Sequence, residues 1–228
     1  MFLVGVSGVA RSGKNLFCDM VIDRLRKQGY IGKQFALADA LKHDCKEFLE
    51  TKCGLDVYSD DTHQKSLFRE YLVWYGDLRR KQTNGRHWIE TMDFEIAESD
   101  CDVALVSDVR YAHYPNDELG WVIYEHEGLL VHLRRYEKSS SAVIEADGTV
   151  KFDYVKPPNE HERINDPKLR EAAHYQLDWP TVDNPLDNLE TRSIVDEVTT
   201  EIIELVNKSW EQARAKKESR LWSRWFNL

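Results

Sequence analysis

The stretch Gly8-Val9-Ala10-Arg11-Ser12-Gly13-Lys14-Asn15, "GVARSGKN", decides how the rest of the chain is read. It follows the phosphate-binding pattern G-x-x-x-x-G-K as far as the lysine. The next place normally holds Ser or Thr, whose hydroxyl meets magnesium, and here it is Asn15. In such a loop the glycines let the backbone curl so that several N–H groups face anionic oxygens, and the helix that follows adds its positive end. The pattern carries meaning only between a strand and a helix, and both flanks are present. Phe2 to Val6 is a short apolar run suited to a buried parallel strand. From Lys14 to Gln28, Leu16, Phe17, Met20, Val21 and Leu25 recur at helical spacing, with Gly29 as a stop. Lys14 is then placed for the β- and γ-phosphates of a nucleotide. Asn15 offers magnesium a neutral carbonyl oxygen, directly or through water.

Working outward, a second strand is expected over Gln34 to Leu37, then a helix from Asp39 to about Lys52. A helical pattern runs from Gln64 to Lys81, with Leu67, Tyr71, Leu72 and Tyr75 on one face, and another helix begins near Arg86 and ends before Asp100. "DVALVSD" (Asp102 to Asp108) is an apolar strand that delivers Asp108 to the carboxyl edge of a sheet, beside the glycine loop. Asp108 is the expected second magnesium-side group; the plainer alternative is a turn cap. Asn116 to Glu127 reads as helical, Leu129 to Leu133 as a fourth strand, and Leu177 to Asn184 as a fifth, with Pro180 suited to an edge. The final helix covers about Thr191 to Lys217. Between them, Glu137 to Ala173 is the least regular region, with a hairpin signal at Asp147-Gly148. Its "NEHE" (Asn159 to Glu162) lacks a complete metal-ligand set and reads as a solvated lid loop. Strands alternating with helices predict an α/β fold, a parallel β-sheet flanked by helices.

At 228 residues the chain suits one domain, and 42% hydrophobic residues with seven Trp argue for a folded globule. A net charge of −9 excludes a general nucleic-acid binder while leaving room for a local basic patch. Cys18, Cys45, Cys53 and Cys101 form no C-x-x-C pair, which favours free thiols in a reducing cytoplasm. No run has the apolar length of a membrane span. In this acidic chain Arg11, Lys42, Arg69, Arg79, Arg80, Arg86, Arg110 and Arg134 are candidate contacts for a small polyanion, with a solvated helix face as the alternative for Arg79, Arg80 and Arg86. At the C-terminus, Lys208, Arg214, Lys216, Lys217, Arg220 and Arg224 alternate with Trp210, Trp222, Trp225 and Phe226. That mixture suits phosphate contact with base stacking, or an amphipathic helix end that packs its Trp residues.

The segments "GVARSGKN", "LFREYLVWYGDLRR", "RHWIETM", "VSDVR", "VHLRR" and "DWPTVDN", in this order, resemble the bacteriophage-type deoxynucleoside monophosphate kinases, and more distantly the phosphomevalonate kinases. The resemblance runs from the first strand to about Asn184; it is weak over Glu137 to Ala173 and absent after Lys208. It implies an adenylate-kinase-like P-loop kinase over 1–228, with acceptor-binding helices in 38–100, a lid insertion in 137–175 and a basic, aromatic tail in 208–228. It implies transfer of the ATP γ-phosphate to a deoxynucleoside monophosphate, with ATP and Mg2+ as cofactors, in the (host) cytoplasm. Gly8, Ala10, Arg11, Ser12, Gly13, Lys14, Asn15 and Leu16 form the implied nucleotide-binding set. Lys14, Arg11, Asp108 and Arg134 form the implied catalytic set, with Asn15 and Asp108 on the metal. Lys42, Arg69, Arg86, Trp88, Arg110 and Glu162 are placed on the acceptor side. The family usually has Asp where Asn15 stands, so this chain departs by one isosteric step that removes a charge. The expected partners are small nucleotides and no membrane, with DNA through the tail and a homodimer left open. Two other readings use the same core: a kinase for a hydroxymethylated pyrimidine base in phage DNA, and a nucleotide-binding regulatory module without turnover.

Overall fold

The computed structural model describes residues 1–137, 143–144 and 150–226, with side chains over 1–137 and 152–215. Strand β1 (Phe2–Ser7) is central because it is apolar on both faces. It pairs in parallel with β3 (Val103–Val109), Phe2 opposite Val103, and with β4 (Leu129–Glu137), Ser7 opposite His132. β2 (Gly32–Phe35) adds to β3, and β8 (Tyr175–Thr181) adds to β4, both in parallel. The main sheet therefore runs β2-β3-β1-β4-β8. A two-residue strand, β7 (Asp153–Tyr154), pairs antiparallel with the end of β4. Strands β5 (Val143–Ile144) and β6 (Val150–Lys151) pair antiparallel, and the expected turn at Asp147-Gly148 between them lies outside the described residues.

Alternation along the strands sends side chains to two cores. Val4, Val6, Val103, Leu105, Val131 and Leu133 meet helices α1 (Lys14–Lys27) and α7 (Leu189–Phe226) on one face. On α7, Val195, Val198, Ile202 and Val206 are fully buried, each worth about 1.5–3 kcal/mol over exposure. Leu3, Ala104, Val106 and Leu130 meet α2 (Leu37–Cys53), α4 (His87–Ala97) and the π-helical turn Trp121–Glu125 on the other. A smaller cluster, Cys45, Leu49, Val57 and Phe68, joins α2 to α3 (Thr62–Thr83). The fold is thus a mainly parallel sheet flanked by helices, as expected. The four cysteines are unpaired, and no helix among the described residues is long and apolar enough to cross a membrane.

Several boundaries differ from the sequence reading: β4 runs four residues past Leu133, and β8 covers Tyr175–Thr181 rather than Leu177 to Asn184. Helix α2 starts at Leu37, so β2 ends two residues before the expected Leu37. The cause is tertiary: Asp108 on β3 accepts the N–H groups of Leu37 (2.7 Å) and Ala38 (2.8 Å) and caps the helix from outside it. The expected lid loop at "NEHE" is instead the start of a helix, α6 (Glu160–Ala172), capped by Asn159, whose side chain accepts the Glu162 N–H. Helix α7 runs on to Phe226, nine residues past its expected end. In its last stretch Trp210 stacks on Tyr30 with centroids 5.8 Å apart and packs on the core. The side chains of Lys216, Lys217, Arg220, Trp222, Arg224, Trp225 and Phe226 lie outside the described ones.

The loop between β3 and the short helix α5 (Glu118–Gly120) is fixed by buried charge. Arg80, read above as a candidate phosphate contact, is buried and forks onto Asp117 (2.7 and 2.8 Å) and Glu118 (3.0 Å). Glu118 then accepts the N–H groups of Arg110 (2.6 Å) and Tyr111 (3.0 Å), and the Arg80 guanidinium lies 3.5 Å from the Tyr111 ring centre. Removing one member strands the others without water. Arg80→Met is expected to destabilise the fold by about 3–5 kcal/mol, with Arg80→Lys in between; midpoints of urea unfolding measure both.

Candidate functional site

The glycine loop leaves β1 through three residues of left-handed backbone: Gly8 (φ 129°), Arg11 (φ 68°) and Gly13 (φ 91°). A Cβ on Gly8 would lie 2.3 Å from the Leu133 carbonyl oxygen, and one on Gly13 would lie 2.4 Å from Cζ2 of Trp179. The loop therefore rests directly on β4 and β8, and no other residue type fits at either place. The Trp179 indole N–H also donates to the Ser12 carbonyl at 2.8 Å. Arg11 holds its left-handed conformation without glycine's freedom, a strain on the order of 1 kcal/mol typical of ligand-binding loops. Its side chain is exposed and has no partner among the described residues.

This backbone leaves a set of donors open. Among the described residues, the N–H groups of Arg11, Gly13, Lys14, Asn15 and Leu16 meet no protein acceptor. Ala10 N–H is occupied: it donates to Oε2 of Glu162 at 2.7 Å. The Ser12 hydroxyl is buried without a hydrogen-bond partner. Lys14 lies beneath the loop, 8% exposed, with Nζ donating to the carbonyls of Gly8 (2.7 Å) and Val9 (2.9 Å). Burial, and then the nearby Arg110 charge, lower its pKa to about 8, against the opposing pull of Glu162, Asp108 and Asp166. Open amides beside a buried cation form a cradle suited to an anion.

The edge of the cradle is polar and connected. Gln34 on β2 donates to Asn15 Oδ1 (3.3 Å) and to the Ser107 hydroxyl (3.0 Å), and Ser107 in turn donates to Phe35 O. Asp108 follows Ser107. Each of its oxygens takes one amide of α2, which leaves further lone pairs on both. Asn15 and Asp108 thus supply one neutral and one anionic oxygen, a donor set that fits Mg2+ held largely through water. On the far side, α6 faces the strand ends. Glu162 reaches Ala10 and lies 3.4 Å from Arg110, Asn165 accepts the Ala112 N–H (3.2 Å), and Asp166 pairs with buried His132 (3.0 Å).

The structure brings Arg11, Lys14, Asn15, Asp108, Arg110 and Glu162 to this edge and commits other predicted residues elsewhere. Arg134 is locked to Asp178, its neighbour across the β4–β8 register, by a two-point fork (2.8 and 2.6 Å), and lies 3.9 Å from the centre of the Tyr154 ring. It is not a free cation. Trp88 is 5% exposed and packs with Leu37, Ala40 and Met92, its N–H directed at Gly76 O; it is a core residue, not an open acceptor contact. Arg86 is held by Glu125 (2.5 Å) and by Asn116 O (3.4 Å). Lys42 is paired with Asp39 one turn before it (2.7 Å), while Arg69 is exposed on α3. Sequence reasoning missed Gln34, Ser107, Trp179 and the His132–Asp166 pair. Only α6 had a readable signal: Asn159-x-x-Glu162 is the pattern of a helix start.

No protein-family model matches the chain, and no curated protein matches it by sequence. Among solved structures it is similar to a shikimate kinase from Acinetobacter baumannii in complex with shikimate, at 12% identity and a TM-score of 0.38, over 90% of this chain and 94% of that one. So loose a likeness says nothing about the site.

The depressed Lys14 pKa has a measurable consequence. Between about pH 8 and 10.5 the unfolded chain holds the Lys14 proton and the folded chain does not. The ligand-free protein is therefore expected to gain stability as pH rises through that window. Relative to Lys14→Met, which cancels the other titrations, the gain should total about 3 kcal/mol; urea unfolding of both proteins across the window measures it.

Proposed function

We propose that the chain is an ATP-dependent phosphotransferase whose acceptor is a deoxynucleoside monophosphate. The observation that carries the transferase part is the open row of loop amides at Arg11, Gly13, Lys14, Asn15 and Leu16 over a buried lysine. Phosphoryl transfer asks little covalent chemistry of a protein; it needs the phosphate held in line and its charge neutralised. The loop amides hold the phosphate oxygens, and Lys14 turns its ammonium from the Gly8 and Val9 carbonyls to them. Arg11, exposed and unpaired among the described residues, closes over the outer oxygens. Bound by Asn15 and Asp108, Mg2+ would supply further neutralisation of the phosphate charge.

The acceptor is named from the sequence resemblance, and two features support that choice. Arg110 leaves the end of β3 with its side chain 42% exposed, so a cation stands beside the cradle with room for a second anion. Arg69 lies exposed on α3, within the helical segment assigned to the acceptor.

The test is a phosphoryl-acceptor screen with Mg2+ and ATP, covering standard and 5-substituted deoxynucleoside monophosphates, with hydroxymethylated DNA as a parallel substrate. The expected products are ADP and a deoxynucleoside diphosphate. Lys14→Met should lower kcat/KM by about 10²–10³, the usual effect of losing one charge-stabilising donor. Transfer to DNA alone would replace the acceptor, ATP binding without any transfer would leave a binding module, and no ATP binding would overturn the reading.

A further inference from the structure

We propose that Glu162 is an internal competitor for the nucleotide, a carboxylate latch that holds one position of the cradle until a phosphate displaces it. The proposal rests on the phosphate-binding reading of the loop and adds a control to it. Glu162 is the third residue of α6, and a Glu at that place after a capping Asn ordinarily folds back onto the N-cap N–H of its own helix. Here the cap half of the arrangement is made, Asn159 accepting the Glu162 N–H at 2.9 Å. The carboxylate half is diverted: Oε2 takes Ala10 N–H at 2.7 Å, and Oε1 faces Arg110 at 3.4 Å. Its side chain is 9% exposed, so the bond is made largely out of water, where a charge-assisted contact is strong.

Glu162 therefore occupies two groups on which phosphate would be held, a loop amide for the nucleotide and Arg110 for the acceptor. A phosphate oxygen cannot share them, because two anions would lie within contact distance in a site poor in water. Lys14, turned down to the Gly8 and Val9 carbonyls, belongs to the same closed arrangement. Nucleotide binding then selects molecules in which the carboxylate has swung out, and the apparent Kd is the intrinsic Kd divided by the open fraction. The loop contact also ties the start of α6 to the cradle, so filling the cradle releases that end of the helix.

The measurement is the Kd of ATP with Mg2+, by calorimetric titration, for the full-length wild type and for Glu162→Gln. The neutral amide can still accept from Ala10 but does not repel phosphate. The expected result is about tenfold tighter binding by Glu162→Gln, which corresponds to a wild type latched at least about nine-tenths of the time. Binding that is unchanged or weaker overturns the latch, since a supporting or ligand-contacting Glu162 can only lose affinity on substitution. Asn159→Ala removes both the cap and the 3.5 Å contact from Asn159 Nδ2 to Glu162 Oε1, touches no loop amide, and should tighten binding in the same direction, by about threefold; no change there also counts against the latch. Absence of ATP binding in every protein would instead overturn the phosphate-loop reading itself.

Discussion

Neither Gly8 nor Gly13 has room for a methyl group, and the position of the whole site follows from those two contacts. The Leu133 carbonyl on β4 presses on the first, and the Trp179 ring on β8 presses on the second. The loop can lie there only if β4 is next to β1 and β8 is next to β4, so the strand order and the loop shape depend on one another. The chain from β1 leads outward to β2 and β3, while the chain from β3 crosses back to β4 on the other side of β1. Such a change of direction opens a crevice at the carboxyl ends of parallel strands. The glycine loop and Asp108 lie at that end of β1 and β3, and His132 lies opposite Ser7, the last residue of β1.

What the sequence made legible, and what it did not, divides along physical lines. β1, α1, β3 and β4 were readable because their apolar residues must repeat at the period of the element that buries them. The start of α2 was not, since its cap is Asp108, seventy residues away in the chain. Helix α6 hid for another reason: it contains Pro167, its Ile164 is exposed, and its buried face is Glu162, Asn165 and Leu169. A helix that buries polar groups against other polar groups shows no hydrophobic period. Its contacts are legible only in three dimensions.

The arginines teach the same lesson about charge. Read as a list, eight cations in an acidic chain looked like a polyanion site. In the fold, Arg80, Arg86, Arg134 and Lys42 have each found a carboxylate. That is the expected fate of a cation among forty acids, because a guanidinium taken out of water needs a partner wherever it lies. The sequence shows where cations are and cannot show which are already matched. What selects a ligand is the unmatched remainder, and at the cradle this is Arg11, the loop amides and the partly engaged Arg110.

The same accounting bears on Asn15. An aspartate at that place would add a negative charge beside Lys14, raising its pKa and holding more positive charge beneath the loop. With asparagine, the charges that sustain the Lys14 ammonium come from elsewhere: Glu162 first, then Asp108 and Asp166. Two of those three are on α6, one turn apart. The helix that carries the carboxylate occupying the cradle therefore also supplies much of the field that keeps its lysine charged. Movement of α6 away from the loop would free Ala10 and Arg110 and at the same time weaken the hold on the Lys14 proton, unless an anion of greater charge enters as the carboxylate leaves. A polyphosphate meets that condition better than a carboxylate or a monoanion. The neutral residue in the loop thus makes the charge of the arriving ligand part of what keeps the open site cationic.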